Sequence, residues 1–140
     1  MDTGKLLDTI GALTSRLKNY AAKLPPIVHL SSAPSGVRPT PESVEEYEDL
    51  VARFRTQTAG TPYKTLYESL LDSLEAFESG RLLGATQPLL SLLDQVERMK
   101  TDHEIEVRRI DEKRMQEYRA ALRAILPGNT PELDETTRPG

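Results

Sequence analysis

"PLLSLLDQVERMKTDHEIEVRRIDEKRMQEYRAALRAILP" runs from Pro88 to Pro127 with neither glycine nor proline between its ends. Read as a single helix over 88–126, it extends about 58 Å at roughly 1.5 Å per residue. No other segment of the chain matches that length, so the reading decides whether the fold is a short bundle or an extended rod. At about 100° per residue, Val96, Met99, His103, Val107, Ile110, Tyr118, Ala121 and Ile125 fall on one side. The rest of the surface is charged, with pairings at helical spacing: Lys100 to Glu104, Glu104 to Arg108, Lys113 to Glu117. Each such pair adds only a few tenths of a kcal/mol, but together they let a polar segment stay helical. A narrow apolar stripe on a long charged helix is expected to meet another surface, on this chain or on a partner.

Upstream of it, Tyr63, Leu66, Tyr67, Leu70, Leu71, Leu74 and Phe77 form a broad apolar face on a helix expected over 62–79. A face of that width suits a globular core. Gly80 and Gly84 interrupt the pattern, and Pro88 is read as restarting a helix after a bent connection. Thr61-Pro62 and Thr40-Pro41 both carry a start signal, with threonine as N-cap and proline at the first helical position. The second of these opens a helix over 41–58 whose stripe is Val44, Tyr47, Leu50, Val51 and Phe54.

The N-terminal segment has the most regular period. Leu6, Ile10, Leu13, Leu17, Tyr20 and Leu24 follow coiled-coil spacing over a helix at 3–24, which Pro25 and Pro26 end. About three heptads are too few for a stable isolated helix in water, so this seam must pack on something. Residues 25–40 read as a proline-rich linker and 127–140 as a disordered tail. The expected fold is therefore all-α: one domain over 1–126, either a four-helix antiparallel bundle or an extended helical hairpin with a long, coiled-coil-like C-terminal helix.

Composition narrows the function. The chain has 140 residues, a formal net charge of −4 and no cysteine. Disulfides and thiolate metal sites are excluded, and no general attraction to nucleic acid is expected. Arg108, Arg109, Lys113 and Arg114 are interleaved with Glu106, Asp111, Glu112 and Glu117, so they build no unopposed phosphate-binding patch. No apolar run approaches the roughly 20 residues of a membrane span, and the N-terminus lacks a continuous apolar signal block. An intracellular, cytoplasmic location is expected, or assembly into a particle made there.

Catalytic groups are sparse. The two histidines are His29 and His103, and neither stands three residues after a glutamate, as carboxylate-bridged metal sites in bundles require: Pro26 and Lys100 occupy those positions. Asp102, His103 and Glu104 are consecutive, and adjacent helical residues diverge by about 100°. The acids Glu45, Glu46, Glu48 and Asp49 lie early in their helix, where they complement its dipole. No nucleophile elbow or phosphate loop is present. No cofactor or metal is expected.

The leading expectation is a non-enzymatic helical interaction subunit, an adaptor, scaffold or assembly component forming homo- or hetero-oligomers. Its partner-binding residues would be Leu6, Ile10, Leu13, Leu17, Tyr20 and Leu24 on the first seam, and Met99, His103, Val107, Ile110 and Tyr118 on the second. With His103 at such a contact, its protonation near pH 6 would weaken association. The alternatives are a structural component of a virus particle or large assembly, and a small-ligand-binding bundle or enzyme with a pocket near Tyr63 and Tyr67.

Overall fold

The computed structural model describes residues 1–24 and 37–125. Over these residues the protein is all-helical, a helical bundle without strands. Five α-helices follow one another: α1 (Thr3–Ala21), α2 (Pro41–Thr58), α3 (Tyr67–Glu78), α4 (Leu82–Thr101) and α5 (Arg109–Ile125). A 3₁₀ turn at Pro62–Leu66 leads into α3. The start signals act as expected: the Thr40 hydroxyl accepts the Ser43 N–H at 3.2 Å, and the Thr61 hydroxyl accepts the Tyr63 N–H at 3.2 Å. Most of the linker and the whole tail read from the sequence lie outside the described residues.

The chain runs up, down, up, down, up. Cross-helix contacts give the directions: Arg16 meets Glu46 between α1 and α2, Tyr47 meets Ser73 between α2 and α3, and Arg119 meets Asp94 between α5 and α4. An odd number of alternating helices leaves the last parallel to the first, and α5 lies along α1 in that sense. Arg114 reaches the Gly4 carbonyl, and Tyr118, one turn further along α5, stands over Gly11, further along α1 in the same direction. A Cβ at Gly11 would sit 2.6 Å from the Tyr118 hydroxyl oxygen, so the glycine sets how closely these helices approach.

The expected helix over 88–126 is two helices. α4 closes at Thr101, and α5 returns antiparallel to it. His103 takes the left-handed conformation, φ 61°. The Glu104 N–H bonds the Met99 carbonyl at 2.9 Å and the His103 N–H bonds the Lys100 carbonyl at 3.0 Å, the two bonds of a Schellman C-cap. Gly80, φ 73°, ends α3 with the same bond pair: its own N–H goes to Phe77 and the Arg81 N–H goes to Ala76. α5 then opens on a capping device, the buried Asp111 carboxylate accepting the Arg108 N–H at 3.0 Å.

α4 also begins earlier than the sequence reading has it, so Pro88 lies inside a helix. An interior proline costs about 3 kcal/mol. Leu82, Ala85 and Leu89 are buried on the α4 face, and burying a leucine side chain is worth about 1.5–3 kcal/mol, enough to outweigh that penalty. Gly84 lets α3 come close there, since a Cβ would lie 3.1 Å from the Ala76 methyl.

One core joins all five helices. At its centre the Tyr47 ring stacks on Phe77 at 4.5 Å, and Tyr20 meets Phe77 edge-on at 5.6 Å. The Ser73 hydroxyl donates to the Ala85 carbonyl at 2.6 Å, so the Tyr47 hydroxyl donates to Ser73 at 2.5 Å. That short relay satisfies the polar atoms that the aromatic cluster brings inside.

Candidate interaction surface

The first seam is closed within the chain. Leu6, Ile10, Leu13 and Leu17 are fully buried, and Tyr20 and Leu24 nearly so. Leu7, outside that seam in the sequence reading, is fully buried too. α1 is thus covered by α2, α4 and α5 together, a wider cover than a two-helix seam provides.

The second set of residues is divided by the break after α4. Met99 is buried at the end of α4. His103 is exposed at the left-handed turn rather than on a helical face. Val107 and Tyr118 are half-buried, and Ile110 is 54 % exposed. The turn resets the helical phase: α5 buries Met115, Leu122 and Ile125 against the core, and Ile110 rotates outward. Met115 and Leu122 are core residues that a single wheel drawn across 88–126 misplaces.

What remains outside is a short aliphatic patch at the start of α5. Ile105 and Val107 are half-buried in the turn, and Ile110 stands clear on the first turn of the helix. Beyond it the outer face of α5 shows Arg109, Lys113, Gln116, Glu117, Ala120 and Arg123, all exposed. Its charge is net positive on a chain that is net negative.

The flanks of α5 hold it in place. Arg114 donates to Asp8 at 2.6 Å, binding α5 to α1, and to the Tyr118 hydroxyl at 3.0 Å within α5. Arg119 pairs with Asp94 at 2.9 Å and with Glu97 at 3.6 Å, binding α5 to α4. Lys100 pairs with Glu112 across the same hairpin rather than with Glu104 along a helix. Burial raises the Glu97 pKa and the neighbouring Glu112 carboxylate raises it further, while the Lys100 ammonium lowers that of Glu112.

Polar groups near the turn are likewise engaged in structure. Thr3 donates to the Glu106 carbonyl at 2.7 Å and accepts from the Tyr63 hydroxyl at 2.8 Å, which ties α1, the 3₁₀ turn and the α4–α5 turn together. Tyr63 and Tyr67 do not converge on one pocket. Tyr63 is buried toward the α1 N-terminus, and Tyr67 lines a separate cleft beside Arg55. Among the described residues no group of three or more histidines or carboxylates is placed to hold a metal ion, and His29 lies outside them. No helix among them is long and apolar enough to cross a membrane.

No protein-family model, no curated protein and no solved structure matches the chain.

Proposed function

We propose that the protein is a non-enzymatic helical interaction subunit that engages a protein partner through the start of α5. The observation that carries this reading is Ile110, a branched aliphatic side chain 54 % exposed on a helix whose other large apolar residues turn inward. Val107 and Ile105 extend the patch into the preceding turn. Covering the exposed half of Ile110 is worth about 1–1.5 kcal/mol before association costs. Arg109 and Lys113 beside it supply charge for choosing an acidic partner surface. The buried Ser73, Thr3, Tyr63 and Asp111 support a non-catalytic reading, because each is engaged in joining or capping elements of the fold.

The seams that first suggest a docking protein thus contribute to the reading only through their exposed remainder. A photo-crosslinking amino acid at position 110, compared with one at Glu48 on the acidic face of α2, tests it in cells. A discrete adduct specific to position 110, abolished when Val107 is changed to Asp, is the expected result. Equal labelling from both positions refutes the reading. Sedimentation of the purified chain over a concentration series distinguishes a second copy from a different partner.

A further inference from the structure

The elbow between α2 and α3 encloses an open cleft of about 610 Å³. Its size falls within the roughly 300–1,000 Å³ of small-molecule sites. Three lining residues give it a chemical character. The Arg55 guanidinium lies 5.6 Å from the centre of the Tyr67 ring, over its face. Lys64 comes from the 3₁₀ turn on the opposite side of the elbow. Among the described residues neither cation forms an ion pair, so both charges are available to a ligand.

Arg55 stands in the last turn of α2, where a cation complements the helix dipole. That placement accounts for its charge but not for its position over Tyr67, nor for a second cation lining the same cleft. The elbow itself is held by short bonds. Thr58 donates to the Phe54 carbonyl at 2.7 Å, and Thr61 donates to the Thr58 carbonyl at 2.7 Å. These bonds engage two carbonyls near this end of α2, and the negative pole of the helix is offset by the two cations rather than by the hydroxyls. Gly60, at φ 77°, has no atom within 4 Å of where a Cβ would stand, which leaves the mouth clear.

We propose that this cleft binds a small organic anion, a carboxylate or phosphomonoester, whose charged oxygens bridge Arg55 and Lys64. A guanidinium resting on an aromatic face is oriented in advance and presents two parallel N–H groups to such oxygens. Lys64 adds a mobile point charge. Glu68, the acid on the rim, opposes anion entry. The site shares no residue with the Ile105–Ile110 patch, so it stands or falls independently of the partner surface.

The test is a titration of the full chain with inorganic phosphate and, separately, with acetate, read by NMR at the Arg55 Nε–H and the Tyr67 ring. Sodium chloride at matched ionic strength is the reference. A saturable shift beyond chloride is expected for at least one anion, and the arm that responds identifies the headgroup. Arg55→Gln combined with Lys64→Gln is expected to weaken binding at least about tenfold, the loss of a charge-assisted hydrogen bond. Glu68→Gln is expected to tighten it. All three side chains are exposed, and circular dichroism of each variant verifies the fold, with Lys64→Gln alone as the second variant. Shifts matching chloride, no response to either anion, or undiminished binding by the double variant overturn the proposal.

Discussion

At the scale of single residues, the most exacting position is Ser73. Its hydroxyl is the only link between the buried Tyr47 phenol and the Ala85 carbonyl given by the hydrogen bonds of the described core. Burial pushes the Tyr47 pKa well above the ordinary tyrosine range, so the group stays a neutral donor. Ser73→Ala strands that donor in an apolar cluster and is expected to cost about 1–3 kcal/mol, measured by urea denaturation. Tyr47→Phe made in the Ser73→Ala background is expected to recover part of the loss, because it removes the stranded group. Additive losses in the double variant would mean the two hydroxyls are not coupled. The hydrophobic phase of Tyr47 is legible in the sequence. Its partner is not, since a serine between Leu70 and Leu74 reads equally well as a surface residue.

At the scale of elements, the α4–α5 turn shows what a local pattern conceals. Left-handed geometry at a C-cap normally calls for glycine, and Gly80 supplies it after α3. After α4 the same position is held by His103, which pays a conformational cost that glycine avoids. His103→Gly is expected to raise stability by about 0.5–1 kcal/mol with the helix content unchanged, as followed by thermal and urea melts. A loss would mean the imidazole makes a contact that matters more than the backbone. The same hairpin carries a pH-dependent pair. Glu97 has a raised pKa in the folded state, so it subtracts stability at neutral pH and ceases to do so as pH falls below the ordinary glutamate value. Glu112 has a lowered pKa and contributes stability that is lost as pH falls through its folded value. Glu97→Gln is therefore expected to stabilise by no more than about 0.5 kcal/mol at pH 7, with the gain gone near pH 4. Arg119 keeps Asp94 as a partner in that variant.

At the scale of the whole molecule, the division between core and surface makes the sharpest contrast. Leu17 is fully buried on α1, the helix that packs on α2, α4 and α5, and Ile110 is mostly outside. Leu17→Ala is expected to cost about 2–5 kcal/mol and Ile110→Ala to stay within about 0.5 kcal/mol. Chemical denaturation of the isolated chain separates the two. Comparable losses would mean that Ile110 is covered in solution, by a second copy or by part of this chain. On the same ground, charged substitutions at Leu13 or Leu17 are expected to abolish folding rather than partner binding alone.

The sequence by itself determined the all-helical class, the α1 and α2 registers, both Thr-Pro helix starts and the buried stripe of α3. Each of these depends on residues within a few turns of one another, where periodicity and capping chemistry act without knowledge of the rest of the chain. Tertiary structure decided the rest: the reversal at His103, the helix running through Pro88, and the covering of the α1 seam from inside. A left-handed histidine and an interior proline are both locally unfavourable. They persist because α4 and α5, folded back on each other, bury Leu82, Leu89, Met115 and Leu122 in the shared core, a gain available only after the helices have met.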